Sequence, residues 1–355
     1  MEPMDNFSQL IENYQENIFS SDRILIAIAA FLLVFVVGVV RGGFHGNANP
    51  LMWHIIDIAF GKLGDKMDKP GRLKGDLIFR GFILCAVVIA FTFFVGRLFE
   101  TLAGTYTYWS LIEILSLSIL LSSGAVFASM GRLYRALNEK KVTPGAYYTI
   151  ARSTRTDLSK NDDFTITRVA MGHALRSFDK ALIAPIFWFL IAGLPGAYLY
   201  VGLAAMSWRF GKDGHSNGFG EAMIALEKLL GYIPNILAGL LICLAGLLTP
   251  TAGMTRAFLG LGKTKGAASY GEGGLPVTAA AYSLNVSLGG TTADLSGAVI
   301  KRAWIGPEKA TAQLESAHLH RVTYILFMAH LLWLASLGFS LMFANNGLSF
   351  GFLPF

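Results

Sequence analysis

Two stretches of this sequence hold residue types that could do chemistry. In residues 163–180, Ile166, Ala170, Ala174 and Phe178 recur every fourth position and would line one stripe of a helix. At 100° per residue, Arg168 and Asp179 fall about 20° apart on the other face, with Arg176 about 60° from Asp179. Lys180 follows directly, so an Asp-Lys pair stands at the mouth of the next apolar stretch, with the two arginines on the polar face that leads to it. The second stretch is Gly289-Gly290-Thr291-Thr292, whose backbone N–H groups and hydroxyls could cradle a phosphate. Each also has a plain structural explanation. Asp179 and Lys180 could be solvated at a membrane interface, Arg168 and Arg176 could serve only topology, and a Gly-Gly pair is usually a turn.

The elements that must position these residues are apolar. The 355 residues are 54% hydrophobic and 15% charged, with a mean hydropathy of +0.52, far from the roughly 25% charged of soluble domains. Stretches near the ~17–25 residues that span a bilayer occur at 24–40, 81–94, 109–130, 181–206, 232–248 and 322–343, of which 81–94 is the weakest. The chain therefore reads as an all-α, polytopic integral membrane protein. A leader, 1–22, precedes a single membrane domain, 23–355. The leader carries Glu2, Asp5, Glu12, Glu16 and Asp22 with no basic region, so the first span should remain as an anchor rather than be cleaved as a signal.

Long polar loops at 41–77, 131–180 and 250–321 hold most of the Lys and Arg behind the net charge of +6. The positive-inside rule puts basic loops on the cytoplasmic face of an inner membrane. Nucleic acid binding is disfavoured, since no basic patch interleaved with aromatics accompanies the charge. Cys85 and Cys243 lie in apolar runs and read as inert thiols. His318 and His320, two apart, point to different sides of a helix, and no metal-ligand spacing is present. Trp53, Trp188, Trp208 and Trp304 read as interfacial or packing aromatics.

Within 131–180 an amphipathic helix is expected over 132–141, a stop at Pro144-Gly145, and a new helix after Asp162-Asp163. The next segment, "ALIAPIFWFLIAGLPGAYLY", has Gly193-Leu194-Pro195-Gly196 at its centre. A turn at membrane depth frees backbone groups that lipid cannot satisfy, so it must be buried in protein or line a polar cavity. Either 181–206 is one kinked span, or it is a broken, re-entrant hairpin that returns 208–220 to the side holding Asp179. The hairpin gathers the polar loops on one face and is the expected form, with "GLLTPTAG" a candidate compensating break.

At these residues the chain resembles the CobD/CbiB family of cobalamin biosynthesis, the adenosylcobinamide-phosphate synthases, over about 49–306. "NPLMWHIIDIAFGKLGDKMDKPGRLKGDLIFRG" is similar to the family's His-Pro-Val-x-Trp-x-Gly-x-Leu-Ile opening, and "STRTDLS" to its Gly-Arg-Asp-Thr segment. "APIFWFLIAGLPGAYLY" resembles Ala-Pro-Leu-Phe-Trp-Tyr-x-x-Gly-Gly-Leu-Pro-Gly, and "LLGYIPN" resembles Ala-Asn-Trp-Ile-Pro-Ala-Arg. "GLPVTAAAYSLNVSLGGTTADLSGAVIKRAWIG" is similar to the closing block. The resemblance implies ATP-dependent amide formation between adenosylcobyric acid, the corrinoid substrate, and an aminopropanol or ethanolamine phosphate. It implies Asp179 and Lys180 at the chemistry, and Arg155, Asp157, Arg168, Arg176, Gly289, Gly290, Thr291 and Thr292 toward ATP. Asp179, Asp294 and Glu272 would be carboxylates for Mg²⁺. Partners would be membrane lipid and the corrinoid.

The chain also departs from the family pattern. Glu-Asn-Thr-Ser-Asp-Gly has become Leu175-Arg176-Ser177-Phe178-Asp179-Lys180, keeping only the aspartate. The Asn-Thr-Leu-Asp region has become "AAMSWRFGKDGHSNGFG", which retains Arg209, Lys212 and Asp213 as charges. Glu227-Lys228 stands where two aspartates are usual, Ile236 where an arginine is, and Val277 where a glutamate is. These departures open a second class, a non-catalytic AmpE-like signalling protein on the same scaffold. The synthase-like "YSLNVSLGGTTADLSG" and Trp304-Ile305-Gly306 weigh against it. A transporter would share the broken helix but lacks a paired segment in an inverted half.

Overall fold

The computed structural model describes residues 19–69, 71–105, 109–211, 218–295 and 297–345. Helices α1 (Ser21–Arg41), α2 (Leu51–Ile56), α3 (Lys62–Met67), α4 (Lys74–Thr105), α5 (Trp109–Ser118), α6 (Gly124–Asn138) and α7 (Pro144–Thr154) lead to strand β1 (Thr156–Asp157). Then come α8 (Asp163–Phe178), α9 (Ala184–Phe210), α10 (Glu221–Leu248), α11 (Met254–Leu261) and α12 (Gly274–Leu284). Short strands β2 (Leu288–Gly289), β3 (Thr292–Asp294), β4 (Val299–Ile300) and β5 (Trp304–Ile305) precede α13 (Ser316–Asn345). The architecture is all-α and polytopic. Five described helical stretches are long and apolar enough to cross a membrane: α1, α4, Asp163–Phe210, α10 and most of α13. Their outer faces expose Leu32 and Val36, Phe82 and Phe94, and Tyr232 and Ile233, as lipid contact requires.

The Asp163–Phe210 stretch folds back on itself. Phe19, at the start of α1, donates its N–H to the Leu190 carbonyl at 3.1 Å. Eighteen residues later the Trp208 ring lies 5.7 Å from that of Trp53 in α2, beyond the other end of α1. Between them, Ala192 and Gly193 leave helical geometry, Gly193 at φ 63°, ψ −160°. This is left-handed backbone that suits glycine. The reversal is tight: the Trp188 carbonyl lies 3.1 Å from where a side chain on Gly196 would begin. The outgoing half runs antiparallel to α4, with Pro195 against Gly96 and Gly202 against Thr92. The break frees carbonyls that lipid cannot serve. Protein serves them, since Arg23 Nη1 donates to Ile191 O at 3.4 Å and Phe19 takes Leu190. The re-entrant form is thus the one observed.

Two expectations need correction, and one candidate span, 81–94, stands as part of a longer helix. The apolar run 109–130 is not one span but α5 and α6, broken at 119–123. There the Ser122 N–H donates to Ala181 O at 2.9 Å and its hydroxyl donates to Ala48 O, so tertiary partners replace helical ones. The weak candidate 81–94 is the interior of α4, 32 residues long, whose charged ends are neutralised locally by Arg80 with Asp76 and Arg97 with Glu100. Pro144-Gly145 starts a helix rather than ending one, because proline's missing N–H costs nothing at a first helical position. The restart after Asp162 stands: its carboxylate caps α8 by accepting from Thr165 N at 2.9 Å.

The three long loops meet on one face. Strand β1 of the 131–180 loop pairs antiparallel with β3 of the 250–321 loop, Thr156 opposite Asp294. Arg209 ties the end of the hairpin to the 41–77 loop through Asp57 Oδ1 at 2.8 Å and Asp65 Oδ2 at 2.6 Å.

Candidate functional site

Where β1, α8, α12 and the β2–β5 ladder converge, a cleft partly open to solvent is lined by Arg168, Arg176 and Arg302. Thr154, His173, Gly289, Thr292 and a single carboxylate, Glu272, complete its polar wall. Helical spacing explains two of the arginines: Arg168 and Arg176 are just over two turns and about 80° apart on α8, so both can reach one cleft. The Arg168 guanidinium lies 4.8 Å over the Trp304 ring, and its Nη2 donates to Thr165 Oγ1 at 3.0 Å. Yet Arg168 Nε and Thr292 Oγ1 are buried without a hydrogen-bond partner among the described residues. Buried polar atoms are rarely left so. Three guanidiniums against one carboxylate, with an orphaned hydroxyl and N–H, fit phosphate oxygens.

Beneath the cleft lies a second, buried polar centre. The chain opens into a π-turn at Asp179–Ile183, which interrupts the helical ladder and leaves Ala181 O to Ser122. Asp179 is fully buried, and its Oδ2 accepts from Asn235 Nδ2 at 2.6 Å. Its Oδ1 has no partner among the described residues. Lys180 Nζ lies 2.7 Å from Glu227 Oε1, the side chains 5% and 0% exposed. The ammonium also sits 4.4 Å over the Tyr270 ring. Tyr270 OH donates to Glu227 O at 3.2 Å, and burial, reinforced by the Glu227 carboxylate, pushes this phenol above its ordinary range. It stays a protonated donor. Asn235 joins the two centres, because it also donates to Gly273 O at 3.4 Å and accepts from Leu275 N at 2.9 Å.

The residues anticipated from sequence therefore divide. Arg168, Arg176, Glu272, Gly289 and Thr292 share the cleft, whereas Asp179 and Lys180 do not line it. Gly290 gives its N–H to Ala303 O at 3.3 Å, and a side chain there would begin 2.8 Å from the Trp304 ring. Thr291 is exposed. Asp294 Oδ1 accepts from Ala298 N at 2.9 Å in the β3–β4 turn. Asp157 accepts from the Ser159 hydroxyl at 2.6 Å and N–H at 2.9 Å, which hold its carboxyl below the usual range. Arg155 sits 3.8 Å from Asp57 Oδ2 and 5.4 Å over Trp208. Burial, then neighbouring Arg209, lowers its guanidinium from the ordinary value.

Arg209 belongs to this Asp57 group and not to Asp179, while Lys212 and Asp213 lie outside the described residues, as does the leader to residue 18. The three carboxylates expected to share Mg²⁺ occupy three different surroundings. No group of three or more His, Cys, Asp or Glu able to hold a metal occurs among the described residues. Glu272 alone faces the cleft, which fits a metal carried in by phosphate oxygens rather than a protein cage. Cys85 and Cys243 are free and buried. Trp53 and Trp208 are packing residues, but Trp304 is 52% exposed. The sequence reading did not single out Arg302, His173, Asn235 and Tyr270 as site residues, although Asn235 closes "LLGYIPN" and Arg302 lies in the closing block.

A family model described as CobD/Cbib protein matches residues 12–326. A probable cobalamin biosynthesis protein CobD of Pyrococcus abyssi is 25% identical over 195 residues, 54% of this chain and 63% of that protein. The cobalamin biosynthesis protein CobD of Brucella suis is 25% identical over 226 residues, 60% and 68% of the two chains. That of Clostridium acetobutylicum is 26% identical over 294 residues, 78% and 88%. The chain thus spans a little under two thirds of the Pyrococcus relative and most of the Clostridium one. No solved structure matches.

Proposed function

Since the chain belongs to the CobD/CbiB family, we propose that it joins adenosylcobyric acid to an aminopropanol or ethanolamine phosphate in cobalamin biosynthesis, with ATP and Mg²⁺. The observation that carries this is the cleft: three arginines, an orphaned threonine hydroxyl and one carboxylate in a partly enclosed space. Amide formation between an acid and a phosphorylated amine brings several phosphates together, and their charge must be neutralised. ATP would supply the phosphoryl group that makes the carboxylate reactive toward the amine.

Arg168, Arg176 and Arg302 hold phosphate oxygens, Thr292 donates its hydroxyl, and Glu272 shares Mg²⁺ with the phosphates. Asp179 and Lys180 form the buried floor and position the cleft wall through Asn235 and Tyr270. Trp304, stacked on Arg168 and half exposed, offers a flat apolar surface to the corrin. The basic loop face lies in the cytoplasm, in line with its Lys and Arg content, and the protein resides in the inner membrane.

The test is reconstitution in detergent with adenosylcobyric acid, aminopropanol phosphate, ATP and Mg²⁺, reading new corrinoid by mass. The proposal requires product from the wild type and a drop of about 10- to 100-fold in kcat/KM for Arg302→Met, since a charge-assisted hydrogen bond contributes about 1.5–3 kcal/mol. No product, alongside an active relative in the same preparation, would overturn it and favour the AmpE-like, non-catalytic reading.

A further inference from the structure

We propose that Asn235 is a positioning residue that holds the cleft's one carboxylate in place and so makes phosphate binding there depend on a divalent metal. The inference rests on the reading of the cleft as a phosphate site. Asn235 is 4% exposed, inside the apolar helix α10, where an amide persists only with partners. It has three. One amide N–H reaches Asp179 Oδ2 at 2.6 Å, Nδ2 also reaches Gly273 O at 3.4 Å, and the carboxamide oxygen takes Leu275 N at 2.9 Å.

The held segment leaves no slack. Gly273 and Gly274 have φ of 113° and 59°, and a side chain on Gly274 would run into Asn235 Oδ1. A side chain on Gly273 would begin 3.3 Å from Arg176 Cβ. Glu272, immediately before this turn, gives its N–H to Ser269 O at 3.0 Å and lines the cleft together with the arginines. Asn235 therefore fixes the distance between Glu272 and the three guanidiniums.

The electrostatic consequence is specific. A carboxylate set among the arginines repels a polyphosphate, and a divalent cation shared between the two turns that repulsion into attraction. With Glu272 released from its position, the arginines would still bind polyphosphate, but the metal would add little.

Inorganic pyrophosphate is the probe, titrated calorimetrically into purified full-length protein in detergent, with Mg²⁺ or with EDTA. In the wild type, Mg²⁺ should tighten binding at least 10-fold. In Asn235→Ala, affinity in EDTA should stay within threefold of the wild type or improve, and the gain from Mg²⁺ should fall below threefold. Glu272→Gln should behave the same way, and the double variant should add nothing. Hydrogen exchange at the Leu275 amide should speed up in Asn235→Ala. Should that variant not fold, Leu275→Pro carries the same prediction, because it deletes the N–H given to Asn235 in a first turn that tolerates proline.

An Mg²⁺ gain unchanged in Asn235→Ala, or pyrophosphate binding lost equally with and without metal, would overturn the positioning role while leaving the cleft reading intact. No pyrophosphate binding by the wild type under either condition would overturn the cleft reading and the inference with it.

Discussion

Removing the Glu227 carboxylate should cost far more than its surroundings suggest. In Glu227→Ala the Lys180 ammonium, 5% exposed, loses its paired carboxylate and retains the Tyr270 ring at 4.4 Å. At 2.7 Å and an effective dielectric near 20 the lost attraction is about 6 kcal/mol before desolvation is set against it. Desolvation set against that attraction leaves a net expectation of the ~3–5 kcal/mol found on breaking buried pairs. Lys180→Ala should cost a similar amount, since it strands Glu227 instead. The pair Lys180→Met with Glu227→Leu fills the space with apolar atoms and should recover to within about 1 kcal/mol of the wild type, or exceed it. Equilibrium unfolding in mixed micelles, with rising SDS fraction and tryptophan fluorescence as readout, gives all four values. A Lys180→Met/Glu227→Leu variant as unstable as the two single losses combined, or a Glu227→Ala loss below about 1 kcal/mol, would refute a buried ion pair at this position.

Two further perturbations address the elements that carry the site. Gly193→Ala puts a side chain at φ 63°, starting 2.5 Å from Glu100 Oε1, and should destabilise by about 1–3 kcal/mol through backbone strain alone; the same unfolding assay reads it, and a neutral result would argue against the tight reversal. Asp162→Ala should cost about 1 kcal/mol at neutral pH as the cap of α8 is lost. Its bonds to Thr165 lower the folded-state pKa below 3.8, so the stabilisation is full above that value and lost as pH falls through the folded pKa. Wild type and variant should therefore converge in acid, and a difference that persists there would point to packing instead of capping.

The helices that cross the bilayer were legible because lipid demands long apolar runs, and the hairpin because Gly193-Leu194-Pro195-Gly196 cannot sit in lipid unaided. The break between α5 and α6 was not legible. "SLSILLSSGAVF" carries only the weak turn signal of Ser122-Ser123-Gly124, and distant partners, Ala48 and Ala181, make non-helical backbone affordable at 119–123. The cleft was half legible. Helical periodicity set Arg168 beside Arg176, and the double glycine marked the strand that brings Gly289 and Thr292. Arg302 arrives through the ladder of β2 with β5 and was not singled out, whereas Glu272 was named from the sequence but is brought beside the arginines by a turn that Asn235 holds. Pairing of β1 with β3 joins two loops far apart in sequence, which a pattern of period two over two or three residues cannot announce.

The central claim, that phosphates bind among Arg168, Arg176 and Arg302, is tested most directly by ATP carrying a photoreactive azidoanilide on its γ-phosphate. Crosslinking to the purified protein and mapping the labelled peptides locates the phosphate end of the nucleotide. Label within residues 165–176, 269–277 or 289–305, displaced by pyrophosphate, is the predicted result. Label confined to the Asp57 and Arg209 face, or label that pyrophosphate does not displace, would contradict the account.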